Sequence, residues 1–154
     1  MKLSMFADAS LRAMVMLAAL PPGEIRTARE VAEVIEVPVT HLSKAISRLS
    51  DFGLVEVARG RYGGAQLTAA GREASVGAVL RRLDPRSDLA ECVSVEGNQC
   101  PLIADCALRS ILAEAREAFY RSLDRHLIVD LPTPRQIHIM FPTIPVCTPV
   151  AAAL

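Results

Sequence analysis

Two short amphipathic helices followed by a glycine-rich hairpin, all within residues 27–67, constrain the fold of this 154-residue chain more than any other feature. Thr27, with Glu30 three residues later, predicts a capping box at the start of the first helix, which the proline-containing link 36–38 ends. A second helix is predicted over 39–51, because apolar residues recur there at the spacing of one helical face. These residues are Leu42, Ala45, Ile46 and Leu49. The segments 54–58 and 65–67 are predicted as strands that flank the tip 59–64, so the order is helix-turn-helix and then a wing.

Helical periodicity extends to both sides of this segment. It predicts one helix over 4–20 and another over 107–127. Between them, a helix is predicted to begin after its cap Thr68 and to run to residue 83. The apolar seam of the last helix is about 30 Å long, which the rest of so small a chain cannot cover. A second copy of the chain is the simplest partner, so we expect a homodimer. The predicted fold is mainly α, a winged helix-turn-helix DNA-binding domain with a long C-terminal dimerisation helix.

Basic side chains are concentrated in the predicted helix-turn-helix and wing. The formal net charge of the whole chain is zero, yet residues 37–72 carry five Lys or Arg against two Asp or Glu. Small polar side chains and cations on one helix face suit the major groove, and a glycine-rich tip with arginines suits the backbone or minor groove. The predicted contacts to double-stranded DNA are Thr40, His41, Ser43, Lys44, Ser47 and Arg48 on the helix, and Arg59, Arg61, Tyr62 and Gly63 in the tip.

Cys92, Cys100 and Cys106 lie within 15 residues of a stretch that has no clear helical or strand period. Such a group of thiols in a reducing compartment favours metal or cluster ligation over disulfides. The spacing differs from the paired cysteines of a zinc ribbon, whereas iron–sulfur clusters are held by thiolates in varied spacings. Buried structural cysteines, or a redox pair with one spare thiol, remain alternatives, and Cys147 is interpreted as incidental.

Other classes of protein are disfavoured by the composition. No apolar run approaches the length of a membrane span, and Asp8 and Arg12 interrupt what would be the apolar part of a signal peptide. We therefore expect a cytoplasmic protein without membrane contact. The three histidines are scattered and no catalytic dyad is visible, so an enzyme is not expected.

Several motifs together resemble the family of winged-helix iron–sulfur transcriptional repressors, over roughly residues 1–130. They are MKLSMFADASLR at 1–12, RGRYGG at 59–64, LTAAGR at 67–72, CPL at 100–102, CALR at 106–109 and AFYRSLD at 118–124. The three-cysteine loop before a long helix is the most specific part. Within the family, an acidic residue in the first helix, here Asp8, and the lack of a histidine at position 109 place the chain closest to the nitric-oxide sensors.

The resemblance implies a dimeric repressor whose iron–sulfur cluster permits operator binding until nitric oxide damages it. It implies a 4Fe–4S cluster held by Cys92, Cys100 and Cys106 together with Asp8 of the partner subunit. The gap between Cys92 and Cys100 is longer than is usual in the family, so a 2Fe–2S cluster stays open. The resulting segments are a DNA-binding domain at 1–83, a cluster-binding loop at 84–106, a dimerisation helix at 107–130 and a proline-rich flexible tail at 131–154.

Two other functions remain open. One is a regulator of the same fold that senses redox state or iron–sulfur supply through a 2Fe–2S cluster or bare thiols. The other, from a different class, is a cluster-bearing electron carrier that needs no DNA. The two classes make different predictions for Lys44 and Arg48. A DNA-binding protein requires these cations on an exposed helix face, whereas an electron carrier does not.

Overall fold

The computed structural model describes residues 3–21, 23–60, 63–84, 92 and 99–141. The chain divides into two compact units, one formed by residues 1–74 with 126–154 and the other by residues 75–125. Within the described ranges, no helix has both the length and the apolar character that crossing a membrane requires.

The first unit contains a helix-turn-helix, a two-stranded wing and three further helices within the described residues. Its elements are α1 (Met5–Ala18), α2 (Ala28–Val34), α3 (Val39–Asp51), β1 (Val55–Ala58), β2 (Gly64–Leu67), α4 (Ala69–Glu73), a 3₁₀ turn (Ile128–Asp130) and α7 (Pro134–Met140). The second unit contains α5 (Val76–Leu83), a 3₁₀ turn (Ile103–Asp105) and α6 (Ala107–Leu123). The predicted helix 39–51 is confirmed, and the predicted first helix and both wing strands are confirmed to within one or two residues.

Helix α1 forms the core of the first unit. It packs against α2, α3, β2 and the 3₁₀ turn Ile128–Asp130. Its buried residues are Ala7, Ala9, Ser10, Ala13, Met14, Met16, Leu17 and Ala18. The one polar member, Ser10, donates its hydroxyl hydrogen to the Phe6 carbonyl at 2.7 Å, which satisfies that buried group. Small residues on much of this face allow the neighbouring elements to approach α1 closely.

The turn between α2 and α3 is fixed at both ends of α2. The predicted capping box is confirmed: the Thr27 N–H donates to Glu30 Oε2 at 2.7 Å, and the Glu30 N–H donates to Thr27 Oγ1 at 3.2 Å. The Thr27 N–H and the Thr27 hydroxyl both donate to the Glu30 carboxylate and lower the pKa of that carboxyl, because they favour its charged form. At the other end, Glu36 has a φ of 55°, and the Val37 N–H donates to the Ala32 carbonyl at 3.1 Å, the pattern of a Schellman cap.

The wing is an antiparallel pair in which Val55 lies opposite Leu67 and Ala58 lies opposite Gly64. The segment before α2 joins it, because Arg26 and Ala65 exchange backbone hydrogen bonds of 3.1 and 2.8 Å. A Cβ at position 64 would lie 2.9 Å from the Arg26 carbonyl, so this close approach needs glycine there. The bridge therefore ties β2 of the wing to the segment just before α2.

The prediction of one helix from Thr68 to residue 83 is wrong. Thr68 does cap a helix, since its Oγ1 accepts from the Gly71 N–H at 2.9 Å, but that helix ends at Glu73. Ala74 is extended, with a ψ of 136°, and its carbonyl accepts from the Ile128 N–H at 2.9 Å. Ser75 then caps α5 through the Ala78 N–H. A tertiary hydrogen bond and a second cap outweigh the continuous helical pattern.

Two further expectations about the C-terminal half need correction. Helix α6 ends at Leu123 rather than near residue 127, and a 3₁₀ turn follows at Ile128–Asp130. Residues 134–140, expected in a flexible tail, form α7. Thr133 and Gln136 make a capping box. Pro134 occupies the first helical turn, where a backbone N–H would have no acceptor within the helix, so the N–H that proline lacks is not missed. Residues 142–154 of the expected tail lie outside the described residues.

An ion-pair network joins α5 to α6 within the second unit. Arg81 donates to both Asp124 oxygens, at 2.7 and 2.9 Å, and to Glu117 at 2.9 Å. Its guanidinium also lies 4.9 Å from the centre of the Tyr120 ring. The helices approach closely here, since a Cβ at Gly77 would lie 2.6 Å from the Tyr120 carbonyl. The bidentate pairing holds the pKa of the Asp124 carboxyl below its usual value.

Replacement of this carboxylate is expected to destabilise the fold in a pH-dependent manner. The folded-state pKa of Asp124 is depressed, so its stabilisation is present above the ordinary value of 3.8 and is lost as the pH falls through the folded-state pKa. Asp124→Asn should therefore lower the thermal unfolding midpoint at pH 7, with a difference that shrinks toward zero below pH 3.8. Circular dichroism of the iron-free protein during heating measures the unfolding midpoints of the variant and the parent at each pH. Asp51→Asn, at an exposed position, is the matched control, and an equal loss at both pH values would contradict the assignment.

Candidate DNA interface and cysteine site

Helix α3 separates an apolar face from a polar one, as the sequence predicts. Its buried residues are Leu42, Ala45, Ile46 and Leu49. The candidate DNA contacts Thr40, His41, Ser43, Lys44, Ser47 and Arg48 are all exposed. The structure therefore brings these six side chains to the solvent side of one helix, with the apolar side held against α1 and α2.

The cationic positions of this interface have distinct surroundings. The Arg48 guanidinium lies 4.6 Å from the centre of the Phe52 ring, which orients it along the end of α3. Arg59 is exposed at the end of β1, and Gly63 is half-buried. The tip is closed by a hydrogen bond of 2.9 Å from the Gly63 N–H to the Gly60 carbonyl. Arg61 and Tyr62, also predicted as DNA contacts, lie outside the described residues.

Asp8 lies half-exposed on α1 and pairs with Arg12 one turn later. Arg12 Nη2 and Asp8 Oδ2 are 2.9 Å apart, and Arg12 Nη1 donates to the Ile35 carbonyl at 3.1 Å. Ile35 caps the C-terminus of α2, so Arg12 connects the candidate ligand Asp8 to the turn before α3. An exposed pair of this kind contributes little to stability, and its interest lies in the groups it joins.

The three cysteines lie in the second unit and are free thiols. Cys92 is buried, whereas Cys100 and Cys106 are half-buried. The Cys100 N–H donates to the Cys92 carbonyl at 2.9 Å, which joins two of the candidate ligand positions through the backbone. Cys106 occupies the N-cap position of α6, and the Arg109 N–H donates to its carbonyl at 3.1 Å.

The chemistry of these donors fits an iron–sulfur cluster, because thiolates are the ligands that such clusters use. The fit rests on the residue types and, for Cys92 and Cys100, on the backbone hydrogen bond that joins them. Within the described residues, no three side chains of His, Cys, Asp or Glu are gathered as a metal site. Cys147 lies outside the described residues.

Glu36 is a feature of this region that the sequence interpretation missed. It adopts the left-handed backbone conformation that normally favours glycine, at the turn that sets the direction of α3. The apolar patterns of α2 and α3 predict a link between them but carry no signal for that conformation. The Arg26–Ala65 bridge was missed for the same reason, since backbone pairing of single residues leaves no pattern.

The α2–α3 pair followed by an antiparallel wing defines a winged helix-turn-helix DNA-binding protein. Residues 3–133 match the family described as "Rrf2: Iron-dependent Transcriptional regulator". The chain belongs to the Rrf2 family.

Two curated relatives are HTH-type transcriptional regulators by name. The chain is 47% identical to the HTH-type transcriptional repressor NsrR of Streptomyces coelicolor over 133 residues, which is 85% of this chain and 88% of the relative. It is 36% identical to the HTH-type transcriptional regulator NsrR of Bacillus subtilis over 131 residues, which is 85% of this chain and 90% of the relative. The protein is therefore a transcriptional regulator and not an enzyme.

Solved structures share the fold. The global cysteine regulator CymR of B. subtilis superposes with a TM-score of 0.64 at 25% identity, covering 85% of this chain and 95% of that one. The oxidised form of CymR from Staphylococcus aureus gives the same TM-score of 0.64 at 25% identity and the same coverage of 85% and 95%. The T. potens IscR structure has a TM-score of 0.64 at 24% identity and covers 85% of both chains, which supports the fold alone.

Proposed function

We propose that this protein is a cytoplasmic, homodimeric repressor that binds an operator in double-stranded DNA and releases it in response to nitric oxide. An iron–sulfur cluster held by Cys92, Cys100 and Cys106, with Asp8 of the partner subunit, would be the sensing group. The observation that carries the proposal is the polar face of α3 in a chain 47% identical to a repressor named NsrR.

The DNA-binding part of the proposal follows from α3 and the wing. Side chains on a major-groove helix must be exposed, and small residues beside the cations let the helix approach the base edges. Thr40, Ser43 and Ser47 supply the small side chains, while Lys44 and Arg48 supply the charge. The wing tip, with Arg59 and Arg61, would contact the phosphate backbone or minor groove.

Dimerisation is supported by the apolar residues of α6. Of its 17 residues, Tyr120 is buried, while Leu108 and Ile111 are each 61% exposed in the described part of the chain. Apolar side chains at this spacing on one long helix are typical of a surface that a second copy covers. Two copies would present two α3 helices, as an operator with two half-sites requires.

The cluster part is supported by the donor set and by the position of Cys106. The N-terminus of a long helix such as α6 favours a nearby negative charge, which suits a thiolate-ligated cluster. When bound, the cluster would supply iron that a small molecule such as nitric oxide can attack. A carboxylate is a weaker partner than thiolate for such iron, so the iron held by Asp8 would be the most accessible.

Arg12 provides a route from the ligand Asp8 to the DNA-binding helices. In this structure it holds Asp8 and the Ile35 carbonyl together. If the Asp8 carboxylate bound iron in a partner subunit, Arg12 would lose or share one of its two acceptors. The ion pair and the iron ligation would therefore draw on the same carboxylate, next to the turn that orients α3.

The first test concerns the DNA contacts. Lys44→Ala with Arg48→Ala should weaken operator binding and reduce the slope of log affinity against log salt by about 4, because two phosphate contacts are removed from each subunit of the dimer. Fluorescence anisotropy with a labelled operator at several salt concentrations measures both quantities. Arg135→Ala, which removes an exposed cation on α7, is the control and should change neither. An unchanged slope in the double variant would exclude this face of α3.

The second test concerns the cluster ligands. Cys92→Ala, Cys100→Ala and Cys106→Ala should each prevent the binding of iron and acid-labile sulfide during anaerobic reconstitution, because each removes a thiolate. Cys147→Ala is the matched control and should retain both. Iron and sulfide analysis with the visible spectrum gives the result and the cluster type. Full iron retention in any of the first three variants would remove that residue from the ligand set.

A thiol-based redox sensor is the second candidate. It is favoured by the backbone hydrogen bond between Cys92 and Cys100 and by the structural similarity to the oxidised form of S. aureus CymR. It differs from the first candidate in needing no iron. Operator binding by iron-free protein that responds to thiol oxidation would support it, whereas binding that requires reconstituted iron would exclude it.

A further inference from the structure

A groove of about 520 Å³ lies in the first unit, between α1, the end of α2 and α7. We call it the α1–α7 groove. Its apolar walls are Leu11, Val15, Val34, Leu131 and Met140. Its volume lies within the range of cavities that bind small molecules or short peptide segments.

Arg12 and Gln136, two polar residues of this groove, are engaged elsewhere, and the third, Glu36, is exposed to solvent. Arg12, which also lines it, directs its guanidinium to Asp8 and to the Ile35 carbonyl. Gln136 is held in the α7 capping box, where its Oε1 accepts from the Thr133 N–H at 2.9 Å. Since Arg12 is engaged and Glu36 would repel an anion, the apolar walls of the groove favour an uncharged, apolar occupant.

The sequence supplies such an occupant directly after α7. Residues 142–154 contain no Asp, Glu, Lys, Arg or His, and most of them are apolar. Prolines at 142, 145 and 149 lack an N–H, so burying the segment leaves fewer unpaired donors than burying an ordinary peptide. The segment lies beyond residue 133, where the match to the family ends.

We propose that residues 142–154 dock into the α1–α7 groove of their own chain. Met140 lines the groove, so the segment begins two residues after a groove residue. Residues 144–146 are four to six positions beyond Met140 and can reach up to about 20 Å from it in an extended chain. Because the segment is covalently attached, its effective concentration at the groove is about millimolar, which is sufficient for a weak apolar contact.

Docking would cover the turn that orients α3. Val34 and Ile35 belong to the groove, and the Val37 N–H, held by the Ala32 carbonyl, lies in the same turn. An occupied groove should slow the opening of this turn, since opening would expose the buried segment. This inference goes beyond the proposed function, because it requires neither DNA nor a cluster.

Hydrogen–deuterium exchange of the full chain tests the docking. Deletion of 142–154 should speed exchange of the Val37 amide by about tenfold, and a synthetic peptide of residues 142–154 added in excess should restore slow exchange. Equal exchange with and without the segment would overturn the proposal. Slow exchange that is lost on dilution would place the segment of a second copy in the groove and would also overturn it.

Single substitutions make the test independent of the deletion. Val34→Asp places a charge in the groove and should reproduce the faster exchange in the full chain, with no further effect of deleting 142–154. Val57→Asp is the matched control, because Val57 is 44% exposed against 40% for Val34 and lies on the wing. Ile144→Asp should act like Val34→Asp, because it places a charge in the otherwise uncharged segment. Groove and segment variants that leave exchange unchanged would contradict the assignment.

Discussion

The packing of α3 on α1 is the interaction on which the rest of the first unit depends. The apolar stripe of α3 can be buried only if α1 offers small residues such as Ala9 and Ala13, which let the two helices approach closely. Once that stripe is inside, the polar stripe with Lys44 and Arg48 must face solvent. The side of α1 that remains outside carries Asp8, so one buried helix both supports the DNA-binding surface and presents the candidate ligand.

The turn between α2 and α3 sets the direction of α3 and holds an uncommon backbone conformation. Glu36 is held there at a φ of 55°, which costs about 1 kcal/mol or more for a residue with a side chain. The Schellman hydrogen bond and the Arg12 contact to Ile35 hold this conformation. Because half-sites have a fixed spacing, a small rotation of α3 at this turn would reduce simultaneous contact by two subunits.

The sequence predicts those elements whose signals are local. The Thr27–Glu30 capping box and the stripe of α3 follow from residues within one or two helical turns, and both are confirmed. The break at Ala74 depends on a carbonyl that binds the Ile128 N–H 54 residues later in the chain, which no periodicity records. Helix α7 had a readable signal in Thr133 and Gln136, but the neighbouring prolines led to the interpretation of a tail. For the site, residue types and exposure were predictable, whereas joint ligation by two subunits is not a property of one chain and stays a prediction.

The proposed cluster, held between two subunits through Asp8, would set the spacing of their α3 helices on the operator. The most direct measurement is an anaerobic titration of the reconstituted dimer with nitric oxide, in which visible absorbance and operator occupancy are followed in the same sample. We expect both to fall together, with operator affinity decreasing more than a hundredfold for a difference of about 3 kcal/mol between the two states. Bleaching of the absorbance while the operator stays bound would contradict it.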